Sequence, residues 1–169
     1  MTIQNNDQLH RLSISLHDFE DAMRFLTETL QHNASSVLHE ALLIAAIIYF
    51  ARPFSHNSHD KRSKDISKIA IDSFTDISPA ERTLYDDLIK FRNKCLAHAE
   101  FQYYPTSVNE KTGVIRGRRF SILDSHIDIK AFNVLLEKLI NQAHNKRADY
   151  TFALKKHNKG NTADRQRSG

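Results

Sequence analysis

The chain has 169 residues, 40% of them hydrophobic and 26% charged, with only four glycines and three prolines. That length fits one domain with a real core, and the composition excludes a largely disordered chain while leaning towards helix. The net charge of +4 is unevenly spread: from His144 onward there are seven Lys and Arg against two acids, which leaves 17 basic and 18 acidic side chains in residues 1–143. A neutral body with a basic tail makes bulk charge a weak argument for nucleic acid.

The first ten residues are polar and carry no leader pattern, so the sequence predicts a cytoplasmic protein. The longest apolar run, residues 41–51, is shorter than the roughly 20 residues that cross a bilayer, and it reads as a buried core helix. The lone cysteine, Cys95, supplies neither an internal disulfide nor a thiolate zinc site.

In chain order, Leu12, Leu16, Phe19, Met23, Leu26 and Leu30 recur at spacings of four and three, predicting an amphipathic helix over 8–32. Ser36 can cap a second helix over 36–52, apolar on nearly every face and expected at the centre of a bundle. Pro53 and the polar stretch after it take the chain out of the core. Ile66, Ile69, Ala70 and Phe74 suggest a short third helix ending near Asp76.

Ser78, Pro79 and Glu81 then form a capping box with proline at the first helical position, starting a helix read to about His98. Aromatic and β-branched segments on either side of the turn-forming residues 109–113 predict a hairpin. Asp128 can cap a last helix bearing Phe132, Leu135, Leu136, Leu139, Ile140 and Ala143. The expected architecture is an all-α bundle of four or five helices with a small β-hairpin before the last helix, a single domain over 1–154 and a basic flexible tail over 155–169.

The end of the Ser78 helix reads Arg92-Asn93-Lys94, then Ala97-His98 and Glu100. This run resembles the Arg-Asn-(x)-His signature of the HEPN superfamily, and Tyr49-Phe50-Ala51-Arg52-Pro53-Phe54 is similar to a segment of its abortive-infection (AbiU-like) branch. The resemblance covers residues 8–150. It implies a bundle fold, a homodimer with both motifs in one cleft, and a metal-independent ribonuclease or RNA-binding protein of bacterial defence or toxin-antitoxin type. A protein antitoxin would be a further partner, and no cofactor or metal is required.

On this resemblance His98 is the general acid/base, Arg92 the phosphate clamp and Asn93 the group orienting them, with Lys94 a further cation for the substrate. The chemistry is coherent, since histidine titrates near neutrality and a guanidinium stays charged beside a developing phosphorane. An ideal α-helix places Arg92 and His98 about 120° apart and about 9 Å along the axis, so a helix end or a second subunit has to bring them together. Physics alone also offers a structural role, with His98 favoured by the helix dipole and Arg92 bound to a surface acid. A non-catalytic helical interaction module is the alternative function.

Other signals are weaker. Arg52 can reach the same cleft or cap its own helix end. Arg116, Arg118 and Arg119, with Tyr103, Tyr104 and Phe120, suit phosphate contact and base stacking, or are solvated strand faces. His56 and His59 have ligand-like spacing in a polar loop, and Asp86-Asp87 read as an exposed helix face. No phosphate-binding glycine loop, nucleophile elbow or dinucleotide fingerprint is present.

Overall fold

The computed structural model describes residues 3–55, 68–96, 106–117 and 121–167, with side chains described between residues 8 and 154 except at position 95. Four helices form a bundle: α1 (Ile3–Thr29), α2 (Val37–Ala51), α3 (Pro79–Lys90) and α4 (Ile129–Arg167). An antiparallel hairpin, β1 (Thr106–Asn109) and β2 (Val114–Gly117), precedes α4.

The sequence periodicity of α1 holds where it packs. Leu12, Leu16, Phe19, Ala22 and Leu26 are buried, Met23 is partly buried, and Leu30 lies beyond the helix, mostly exposed. The Ser36 hydroxyl accepts from His39 N–H at 3.1 Å and starts α2. The His39 ring, itself buried, sits 3.0 Å from the Thr29 carbonyl and ties the second helix to the end of the first. The helix is apolar on nearly every face, as expected, but one side of it, with Val37, Leu38 and Ile48, is exposed.

Phe50 is the aromatic centre of the bundle. Its ring lies 5.1 Å from Phe132 of α4, 5.5 Å from Phe54, 6.2 Å from Tyr85 of α3 and 6.5 Å from Phe19 of α1, mostly tilted or edge-on. A single side chain thus touches every other helix. Replacing Phe50 with alanine should cost about 3–5 kcal/mol in urea denaturation.

Between α2 and α3 the expected third helix is reduced to one 3-10 turn, Ile71–Ser73, which buries Ile71 and Phe74; the earlier part of that expectation lies outside the described residues. Its polar backbone is held by α4. Gln142 accepts from Thr75 N–H at 2.8 Å and donates to the Thr75 carbonyl at 2.7 Å, and Lys146 donates to the Ser73 carbonyl. Lys138, one turn earlier, donates to the Asp76 carbonyl at 2.8 Å. With these partners the segment has no need of helical bonds, and Asp76 adopts a left-handed φ of 57°.

The capping box at α3 is formed as expected, with Ser78 Oγ accepting from Glu81 N–H and a Glu81 oxygen accepting from Ser78 N–H at 2.7 Å. In the hairpin, the Asn109 side chain and carbonyl accept from Lys111, Thr112 and Gly113, and Gly113 takes the left-handed φ of 68° that closes the turn. Its described strands are four residues each, and the outer parts of the flanking patterns, residues 101–105 and 118–120, lie outside the described residues. Asp128 caps α4, its Oδ1 accepting from Lys130 and Ala131 N–H at 3.0 Å. The α4 backbone is helical to Arg167. Lysine, arginine and alanine within it are good helix formers.

Glu81 has a second partner, the Lys138 ammonium at 2.6 Å, which with the Ser78 N–H holds its carboxyl at about 2, well below the usual 4.5. Because the folded value is the lower one, the stabilisation is complete above about 4.5 and is lost as pH falls towards 2. Allowing for solvent screening it is on the order of 1 kcal/mol. Melting curves of Lys138→Met should show that loss at pH 7 and a flatter response to acid than the parent chain.

Candidate functional site

The first three turns of α3 are ordinary α-helix, pinned at the start by the capping box and along one side by buried Leu88 and half-buried Leu84 and Tyr85. At Phe91 the helix widens into a π-turn, Phe91–Leu96. The sequence explains the change. Phe91 and Leu96 both pack against the core, and they stand five residues apart, a spacing that points away from a common face in an α-helix. Bonding from i to i+5 brings them together. The uniform α-helix expected through this stretch is therefore corrected over Phe91–Leu96, while the last part of that expectation, residues 97–98, lies outside the described residues.

Arg92, Asn93 and Lys94 lie within this widened turn. Arg92 is half-buried and its Nη1 donates to Asn93 Oδ1 at 2.9 Å; Asn93 is exposed and Lys94 half-buried. Asn93 is thus a neighbouring hydrogen-bond acceptor for the guanidinium. His98, Arg118 and Arg119 lie outside the described residues, as do His56, His59, Glu100, Tyr103, Tyr104 and Phe120.

Beside the π-turn, a hollow of about 250 Å³ opens between α3 and the start of α4, lined by Thr83, Leu84, Asp87, Phe91, His126 and Asp128 among others. Sequence reasoning missed His126. It sits two residues before the Asp128 cap with a left-handed φ of 53° and an exposed side chain, and nothing in the local pattern marks it. Phe91 belongs to the lining, so the hollow begins one residue from Arg92.

Arg52 is placed elsewhere. Phe50 and Phe54 face α3, whereas the Arg52 guanidinium reaches Asp18 of α1 at 3.1 Å and lies 5.0 Å over the Tyr49 ring. Arg52 is also the C-cap residue of α2, its backbone N–H donating to the Ile48 and Tyr49 carbonyls. The turn that follows is held by Arg11, whose Nη2 donates to the carbonyls of Pro53 at 3.0 Å, Arg52 at 3.3 Å and Ser55 at 3.5 Å. Arg116 is exposed on the hairpin, opposite Ser107. Asp86 lies 3.8 Å from Arg82, which also pairs with Asp72, in keeping with an exposed helix face. Among the described residues no group of three or more His, Cys, Asp or Glu can hold a metal ion.

Burial pushes the Asp18 carboxyl above its ordinary value, against the attraction of Arg52 and Arg11, and pulls Arg11 below its own. A raised carboxyl contributes most below its unfolded value and loses that contribution as pH rises, the reverse of Glu81. Urea titrations should thus show Asp18→Asn costing less at pH 7 than at pH 4, because the charged carboxylate is the form that burial disfavours. Arg11→Ala removes the donor from three carbonyls and should cost about 2 kcal/mol.

One apolar segment, Val37–Phe54, reaches the length and hydropathy of a membrane-crossing helix when Arg52–Phe54 is counted with α2, and 44% of it is buried in the bundle. No protein-family model, curated protein or solved structure matches this chain.

Proposed function

We propose that this chain is a HEPN-like, metal-independent endoribonuclease of bacterial defence or toxin-antitoxin type, acting as a homodimer in the cytoplasm. One observation carries the reading. The Arg92-Asn93-Lys94 run, followed in the sequence by His98, coincides with a π-turn at the end of a firmly capped helix, and such turns concentrate at functional sites. Arg92 donates to Asn93 there, within the same turn.

In the proposed reaction His98 takes the proton of a ribose 2′-hydroxyl, and the 2′-oxygen attacks the adjacent phosphorus. Arg92 offsets the charge on the resulting phosphorane. The bond to the 5′-oxygen then breaks, and that oxygen receives a proton from a histidine in its charged form. The products are a 2′,3′-cyclic phosphate and a 5′-hydroxyl. Lys94 and Arg116 with Arg118 and Arg119 are the proposed contacts to the rest of the RNA, as non-specific phosphate partners. Arg52, held by Asp18 on another side of α2, drops out of this set.

A non-catalytic helical module binding a nucleotide, RNA or protein is the second reading. The observation on its side is the largely apolar hollow beside α3, which at about 250 Å³ suits contact with part of a larger partner better than enclosure of a small molecule.

Cleavage of a mixed RNA pool in excess EDTA distinguishes the two. Cutting should leave cyclic-phosphate ends and fall by about 10² to 10⁴-fold in His98→Ala. Arg92→Lys keeps the charge but loses the planar fork, and it should be impaired almost as severely as Arg92→Ala. Both Arg92 variants should stay folded, with stability changed by roughly 0.5 kcal/mol or less. Absence of cutting in the parent chain, or equal cutting in His98→Ala, would establish the module reading instead.

A further inference from the structure

We infer that His126 is the general acid of the proposed reaction, the group that gives its proton to the departing 5′-oxygen. The inference rests on the nuclease reading above and fills the one role in it that no residue yet holds. His98 takes a proton at the start, and a charged histidine must supply one at the end. The other described histidines are placed elsewhere: His39 is buried against the Thr29 carbonyl, His32 and His144 lie beside Glu28 and Glu20, and His10 and His17 are on α1.

Two features of the fold bring His126 to the Arg92 turn. The first is the register of α4 against α3 and the connector before it. Lys138 meets Glu81 at 2.6 Å, Gln142 meets Thr75 at 2.8 Å and Lys146 reaches Ser73, so the two stretches run antiparallel. Midway, the Phe50 ring touches Tyr85 of α3 and Phe132 of α4. From the Lys138–Glu81 pair, eleven residues forward along α3 end at Arg92, and twelve back along α4 end at His126. At 1.5 Å per residue those steps are about 16 and 18 Å, which sets His126 level with Arg92. The second feature is the hollow of about 250 Å³, one wall of which is α3 as far as Phe91, while the facing wall carries His126. A phosphodiester held by Arg92 at the end of this hollow therefore has His126 across from it.

The His126 ring suits the task. It is exposed and has no hydrogen-bond or ion-pair partner among the described residues, so its proton is available. Its backbone lies in the left-handed region, at φ 53° and ψ 39°, which glycine adopts freely and other residues adopt at a cost. The imidazole makes no bond in the turn that would offset that cost. Structure alone favours glycine at this position, and the side chain present instead is a free proton donor. Charge agrees with a phosphate nearby. Lys90, Arg92 and Lys94 make the end of α3 basic, and of the two aspartates on the hollow, Asp128 already has an oxygen committed to the first N–H groups of α4, leaving Asp87.

Single-turnover cleavage of RNA by the full chain tests the assignment with His126→Gly, which accepts the left-handed backbone and removes the donor. The variant should melt no lower than the parent chain yet cut about 100-fold more slowly. It should also lose the fall in rate on the alkaline side of the parent's pH profile, because that fall reports loss of the acid's proton. The decisive substrate carries sulfur in place of the bridging 5′-oxygen, since a thiolate departs without needing a proton. His126→Gly should cut it within about threefold of the parent, while His98→Ala stays slow on both substrates. Equal cutting of the oxygen substrate by parent and variant overturns the role of His126 and leaves the nuclease standing, and so does a slow variant that the sulfur substrate does not rescue. A parent chain that cuts neither substrate overturns both. Should His126→Gly fail to fold, His126→Asn, which also tolerates a left-handed backbone, takes its place with the same expected results.

Discussion

The structure depends on Phe50. Its ring is the one aromatic group among the described residues that reaches α1, α3 and α4 as well as the 3-10 turn after its own helix, and it does so with no exposed surface. Edge-on packing of this kind fixes angles as well as distances, because a ring accepts a neighbour's edge in few orientations. Once Phe50 is placed, Tyr85 sets the rotation of α3 and Phe132 that of α4. The face that α3 turns inward then decides where the Arg92 turn looks out.

The π-turn is the consequence nearest to function. Leu84 and Leu88 keep α-helical spacing, then Phe91 and Leu96 do not, and the backbone widens so that both can stay in contact with the core. Widening moves the intervening polar residues outward together, and Arg92 and Asn93 become partners in the process. Local strain between hydrophobic register and helical register thus places a charged group at one end of the bundle. The proposed chemistry takes advantage of a feature that packing alone had already required.

Much of this was legible in the chain and some was not. Ser36, Ser78 with Glu81, and Asp128 announced three helix starts because a cap is a local device whose donor and acceptor lie within three residues. Most inward residues of α1 and α4 followed from period alone, Leu30 being the exception beyond the end of α1. The π-turn was invisible to a reading that assumed one period throughout, although the five-residue step from Phe91 to Leu96 was its signal. Gln142, Lys138 and Lys146 were passed over because polar residues on a helix look solvated until a distant carbonyl is found in front of them. Arg52 ends its own helix, as its place before Pro53 suggested, but its ion-pair partner Asp18 could not be foreseen because it lies on another helix.

Those distant tethers also bear on the order in which the chain assembles. Arg11 reaches carbonyls about 41 to 44 residues away, and Gln142 reaches Thr75 across 67. Closing loops of that size has an entropic cost that one hydrogen bond does not offset. Neither tether can therefore nucleate folding. The helices must dock on their apolar sides first, and the polar links then close over an existing interface. On that order the connector from Ser73 to Ser78 is among the last parts to become native, and α3 receives its final position only after α4 has arrived.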